Sequence, residues 1–414
     1  MEESVRTSRS SLALDHLRAI AILIVVAVHA FLAYLGSAKS SAFDRPPYTW
    51  RAVPLVDHAR WFGFDIFAAS ADVYLMVLLF FLSALFTAPS LSRKGARNFL
   101  RERTLRLGLP WAFGVFVLMP LALYPVYRTR SGDPGVLAYL RHLLALPFFD
   151  NGPMWFLWQL LVLTVIAALL CRFAPRAIEV LSRLAANAGS RPFRYFIGLT
   201  AAAVLAYVPL ALVFTPMAWA ARGPFSLQFC RPLLYLVFYL AGLGVGARGF
   251  DKGLLASDSA LEGSWARWLF GACIVFFVWL ALMAVSVETR ESPLALELAL
   301  DVSFALAATS GCFAALALGL RFASTPSPVL AAVSKNAFGL YIVHYPIAVW
   351  LQYAFLGIAL FVFAKAAIVL ALTLILSFAA ISLIRAIPFG SRLLGEAAAQ
   401  PAPMAGELPR RAFV

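Results

Sequence analysis

Apolar residues along this chain fall in long unbroken runs, such as 20–28, 162–170 and 366–376, separated by short polar and basic stretches. A helix on the surface of a water-soluble protein cannot carry such runs, because one of its faces must meet solvent. A bilayer accepts them, since a segment of about 20 apolar residues covers its hydrocarbon thickness. The pattern predicts ten spans, at 14–35, 72–88, 107–124, 154–173, 195–214, 229–247, 265–287, 298–320, 329–353 and 355–384. Each is predicted to be helical: the runs far exceed a barrel strand, and in lipid every backbone amide must be paired internally. The last run is longer than one crossing needs, which puts Lys365 near its outer edge and the embedded part after it. The predicted fold class is therefore all-α, a polytopic membrane protein of about ten transmembrane helices. One membrane domain is expected over 1–389, followed by a tail, 390–414, whose Ala, Pro and charge without periodicity predict a disordered cytoplasmic segment.

Composition agrees with this pattern. Of 414 residues, 62% are hydrophobic and 13% charged, against roughly a quarter charged in soluble domains. The net charge of +14 would fit a nucleic-acid binder, but the cations lie between apolar segments, where topology and anionic headgroups account for them. No nucleic-acid partner is expected; membrane lipids are. In alternate loops the excess of Lys and Arg lies on the side of Arg6 and Arg9, of Arg93 to Arg106, and of Arg172 to Arg194. That bias predicts both termini in the cytoplasm, consistent with an even number of spans. Asp15, Arg18 and His29 inside the first run argue against a cleaved signal peptide. Cys171, Cys230, Cys273 and Cys312 show no metal-ligand or redox spacing and read as small apolar fillers, so no metal is expected.

The most informative segment begins at Leu14-Asp15-His16-Leu17-Arg18 and runs on to His29. Eleven residues are close to three helical turns, so Arg18 and His29 share a face and stand about 16 Å apart along the axis. Arg18 is expected at the cytoplasmic rim and His29 well inside the bilayer, where an ionisable side chain points to function. Neutral imidazole can take a proton from an acceptor hydroxyl as it attacks a carbonyl. A thioester suits that attack, because its thiol, with an unperturbed pKa of about 8.5, departs readily. A transient acyl-histidine is a second route, and a plain helix-to-helix hydrogen bond is the structural alternative.

Arg101, Arg103 and Arg106 precede the third span, with Arg103 and Arg106 on one face at the i, i+3 spacing. Guanidinium forks grip phosphate oxygens, so with Arg18 they suit the phosphates of coenzyme A; simple positive-inside bias is the alternative. Late in the chain, Tyr341 and His344 share a helix face at a depth that overlaps His29, where they would line one polar pocket or else join an outer aromatic belt with Tyr345 and Trp350. Asp65 and Asp72 precede the second span; Asp72 would orient a histidine or an acceptor, or act as a solvated cap. Trp155 and Trp158 read as interface anchors, with Gln159 a weaker candidate.

Together these residues resemble the acyltransferase-3 family of bacterial integral membrane acyltransferases, whose members include O-antigen acetyltransferases and glucans biosynthesis protein C. The resemblance is carried by the Arg18 to His29 spacing, Phe80-Phe81-Leu82-Ser83, Arg103-x-x-Arg106 with Leu107-Gly108-Leu109-Pro110, Trp155-Phe156-Leu157, and Tyr341-x-x-His344. It implies an acyl-CoA donor, acetyl-CoA or succinyl-CoA, entering from the cytoplasm. It also implies an essential histidine at His29, donor-site or structural arginines at Arg18, Arg103 and Arg106, and O-acylation of a glycan or another hydroxylated metabolite of the envelope. The inner membrane is the implied location. Ala84 departs from the family, which often has Gly there, and closer packing of that helix is expected to be lost. Outside this resemblance, a transporter or flippase moving substrate on buried His and Arg is the rival reading.

Overall fold

The computed structural model describes residues 9–249, 252–289 and 292–396. Among them, eight helical segments are long and apolar enough to cross a membrane: Arg9–Tyr34, Phe62–Lys94, Ala96–Arg128, Gly152–Phe173, Pro192–Phe214, Trp265–Glu288, Leu294–Phe322 and Val362–Ala386. The other two predicted spans are present as helices of different character. Pro232–Arg248 is apolar but has only 17 residues. Pro328–Phe355 has 28, long enough to cross, and carries Lys335, Asn336, His344 and Gln352 along its length. The chain is an all-α polytopic membrane protein.

Several boundaries differ from those predicted, each for a visible reason. The second helix begins at Phe62, ten residues before the predicted start at 72. Asp65 lies in its first turn and accepts from the backbone of Gly36 at 2.6 Å and of Ser37 at 3.2 Å, so the charge is used to tie down the preceding loop. Asp72 is consequently not at a helix start but well inside. The last predicted span, 355–384, starts later than predicted: the preceding helix ends at Phe355 and the next runs Val362–Ala386. Lys365, in the first turn of the latter, is buried against Asp57 at 2.6 Å. Removing either partner would strand a buried charge, a loss of about 3–5 kcal/mol.

The third crossing is interrupted by two π-helical turns, Thr104–Gly108 and Gly114–Leu118. Each precedes a proline by two positions, Pro110 and Pro120. A proline ring has no N–H to give and collides with the carbonyl four residues back; a widened turn relieves that collision without ending the helix. A small hairpin, Trp219–Arg222 paired with Phe225–Gln228, was not anticipated. Gly223, with φ +57°, makes its tight turn. Of the predicted tail, residues 397–414 lie outside the described residues; the part before them contains a short helix, Gly390–Leu393, and an Arg385–Glu396 ion pair at 2.6 Å.

Burial separates central from peripheral helices. Leu294–Phe322 has 72% of its most apolar stretch inside the protein, whereas Trp265–Glu288 has 11% and lies at the periphery. The first helix, Arg9–Phe31, packs against Phe62–Ala84, Leu294–Phe322, Pro328–Phe355 and Val362–Ala386, which makes it central to the bundle while Arg18 and His29 stay partly exposed. Pro232–Arg248 approaches the second helix closely because Gly242 and Gly246 lack side chains: a Cβ there would come within 2.2 Å of the Phe81 carbonyl and 1.9 Å of the Leu85 carbonyl. Ala84 faces Gly242. The close packing expected to be lost at Ala84 is thus recovered by a glycine on the partner helix.

A second apolar cluster caps one end of this bundle, built from Tyr34, Phe43, Trp50, Met119, Tyr127, Tyr139 and Tyr345 among others. Trp50 stacks on Phe43 at 5.0 Å, and its indole N–H donates to the Phe43 carbonyl. In the same cap, Arg51 pairs with the buried Asp150 at 3.1 Å. Burial raises the Asp150 carboxyl above its ordinary range, and Arg51 offsets part of that rise.

Candidate functional site

His29 stands near the end of the first helix, not midway along it, where the bundle core meets the capping cluster. The helix stops at Phe31 and continues as one 3-10 turn, Leu32–Tyr34. Carbonyls at a helix end need donors from elsewhere. Here the side-chain amide of Gln352 donates to the carbonyls of His29 at 2.7 Å and Ala30 at 3.0 Å, so the backbone carrying the imidazole is held from the facing helix.

His344 comes from that same facing helix, and its Nε2 lies 3.2 Å from His29 Nδ1. The surrounding carbonyls decide the protonation. His344 Nδ1 is 2.9 Å from the Tyr341 carbonyl and 3.1 Å from the Leu340 carbonyl. Carbonyl oxygens only accept, so this nitrogen holds the proton and His344 Nε2 presents a lone pair. His29 Nδ1, 2.8 Å from the Val25 carbonyl, must also be protonated, and shares its N–H between Val25 and His344 Nε2. The remaining nitrogen, His29 Nε2, therefore carries a lone pair. Tyr345 packs edge-on to the His29 ring, with centroids 5.3 Å apart, which fixes its plane.

A cavity of about 160 Å³ opens beside His29, lined by Val25, Val28, Asp72, Trp155, Phe156 and Tyr341 among others. The sequence candidates His29, Tyr341 and Asp72 thus meet in one space, with His344 behind His29. Their relations are specific. The Tyr341 hydroxyl donates to the Pro153 carbonyl and so fixes the turn that starts the Trp155–Phe173 helix. Asp72 makes no hydrogen bond to His29; its carboxylate takes both terminal nitrogens of Arg231, at 2.7 and 2.5 Å. Trp155 is a cavity wall stacked on Tyr235 at 5.7 Å. Trp158 donates to the Ser226 carbonyl of the hairpin at 3.2 Å. Tyr341, His344 and Tyr345 are all buried, so they form no outer aromatic belt.

The arginines gather along the first helix, well away from this cavity. The charges of Arg18, Arg103 and Arg106 lie close enough to act on one another. Arg18 makes a long ion pair with Asp15, 3.6 Å, both partly exposed, and lies over the Phe86 ring at 5.1 Å. Arg103 lies over Phe99 at 5.3 Å. Arg106 sits in the first π turn and is exposed. Arg101 is exposed too, and forms no ion pair or hydrogen bond with the described residues. A larger cavity, about 960 Å³, adjoins the loop that leads into these arginines and is lined by Ser92, Arg172, Arg183 and Arg248 among others.

Gln352, Arg231 and Tyr345 were missed from sequence. Gln352 did carry a signal, as a lone amide in an apolar run eight residues beyond His344. Arg231 carried a signal too, as a charged residue just inside the predicted span 229–247.

Chemically, the site offers an imidazole lone pair of fixed direction beside a small, mostly apolar cavity, with phosphate-sized cationic forks some three helical turns away. A family model described as an acyltransferase domain matches residues 11–382, nearly the whole chain. No curated protein and no solved structure matches it.

Proposed function

The chain belongs to this acyltransferase family, and from that premise we propose that it carries a short acyl group from cytoplasmic acyl-CoA to a hydroxyl of a glycan or other envelope metabolite, with His29 as general base. Both termini lie in the cytoplasm in this reading, and the membrane is the bacterial inner membrane. The donor's phosphates rest on Arg18, Arg103 and Arg106, and its pantetheine arm runs along the first helix toward His29. The acceptor approaches from the opposite end, beneath the aromatic cap.

In the reaction, His29 Nε2 takes the hydroxyl proton as the acceptor oxygen bonds to the thioester carbon. The tetrahedral intermediate then expels the thiolate by breaking the carbon–sulfur bond. The imidazolium returns its proton to that sulfur, which leaves ester, thiol and neutral histidine. While His29 is protonated, its Nδ1–H still donates to His344 Nε2, so the cation is stabilised as it forms. Metal ions enter none of these steps.

The observation that carries this reading is the hydrogen-bond chain from Tyr341 and His344 to His29, which supports a lone pair on the one imidazole nitrogen left for substrate. A transporter would use buried His and Arg without turning over a donor. The test is to incubate purified protein with labelled acetyl-CoA and a hydroxylated acceptor, and to follow label and free thiol. Label in an ester with stoichiometric thiol release is expected; no release with either acetyl-CoA or succinyl-CoA contradicts the proposal.

A further inference from the structure

The cavity beside His29 has one charged wall. Val25, Val28, Leu75, Met76 and Phe156 make it apolar, and Asp72 alone brings a carboxylate. At about 160 Å³ it has room for about five water-sized fragments, taking about 30 Å³ for each. That accommodates a two- to four-carbon acyl group with its thioester.

The charge makes a finer distinction. Asp72 is bidentate with Arg231, yet the two are unequally placed: the Asp72 side chain is 52% exposed and that of Arg231 9%. A ligand in the cavity therefore meets carboxylate oxygens, with the guanidinium behind them. Arg231 lies over the Phe304 ring at 5.1 Å, and its buried Nε–H has no hydrogen-bond partner. It is a complete carboxylate fork already occupied by a residue of the chain itself.

Resting on the reading of His29 given above, we infer that the Asp72–Arg231 pair sets the donor class, admitting a short uncharged acyl group such as acetyl and rejecting acyl groups that end in a carboxylate, such as succinyl. A terminal carboxylate on the donor would have to lie against the Asp72 oxygens between apolar walls, where like charges repel. The same geometry predicts a switch. With the Asp72 carboxylate gone, Arg231 is an uncompensated cation at the cavity wall, and a substrate carboxylate is its natural partner.

The experiment compares acetyl-CoA and succinyl-CoA with purified protein, glycerol supplying hydroxyls, and reads free thiol release as kcat/KM. The unaltered protein is expected to favour acetyl-CoA by about tenfold or more. Asp72→Ala shifts the succinyl-to-acetyl ratio upward by about tenfold, and adding Arg231→Ala abolishes that shift. Asp72→Asn keeps the side chain's shape and an acceptor for Arg231, so it reports the same direction if the alanine variant does not fold. Equal use of the two donors by the unaltered protein, or a ratio unmoved in a folded Asp72 variant, overturns the inference. His29→Ala separates the two claims. If it removes turnover of both donors while the ratio fails to move, only the donor assignment falls; if it leaves turnover intact, the reading of His29 falls with it.

Discussion

The two ends of the first helix are built in opposite ways. Around His29 the directing groups are held in place: Nδ1 is shared between Val25 and His344, the backbone is held by Gln352, and the ring plane by Tyr345. Around Arg18 the side chains have few partners, with one long ion pair and two aromatic contacts among three mutually repelling guanidinium groups. The first region is prepared to act on a reacting atom without reorganising. The second is a cluster of cations in which, among the described residues, Asp15 is the one carboxylate in an ion pair, and that pair is long and partly exposed. A site in which one end must hold a phosphate-rich handle and the other must direct a single proton would be divided in this manner, and a merely structural role for both ends gives no reason for the difference.

The contrast can be broken from the imidazole side. His344→Ala removes the acceptor for the His29 Nδ1–H, and turnover is expected to fall by about 10- to 100-fold with the donor KM unchanged. His344→Asn keeps a side-chain acceptor and should recover part of the loss. A fall in KM-controlled terms alone, or no rescue by Asn, would make His344 a packing residue.

From the arginine side the signature reverses. Arg106→Ala or Arg103→Ala should raise the KM for acyl-CoA by about tenfold while kcat stays near its original value, because uniform binding is lost and not transition-state stabilisation. The increase should be larger at low salt, where these exposed charges are least screened. The smallest effect sharpens the boundary of the cluster: Arg101→Ala, at an exposed cation outside the mutually interacting group, is expected to change donor KM by about twofold or less. An Arg101 effect as large as that of Arg106 would show that the whole basic loop, and not the three converging arginines, holds the donor.

Much of this arrangement was legible from residue spacing. Arg18 and His29 lie on one face because both belong to one unbroken helix, and helical geometry transmits that relation directly. Tyr341 and His344 were legible for the same reason, and the depth argument placed them near His29. What spacing could not reveal were relations between helices. Asp72 and Arg231 are 159 positions apart, and although Arg231 lies just inside a predicted span, no spacing along the chain relates the two. Gln352 reaches the end of the first helix only because two long helices pack side by side. The π turns before Pro110 and Pro120 were hidden because proline usually ends or kinks a helix, whereas here the backbone widens and continues. The true start at Phe62 is hidden in the sequence because Asp65 and Asp72 interrupt the apolar run, although each has a specific partner.

The central claim is that the His29 lone pair takes the acceptor proton. It is tested most directly by single-turnover acyl transfer from acetyl-CoA in purified His29→Ala protein, after its folding and donor binding have been shown equal to the unaltered chain. Loss of transfer by about 100-fold or more is the predicted result, in line with removal of a general base. Transfer within a few-fold of the unaltered protein would contradict it and leave His29 as one more hydrogen bond between helices.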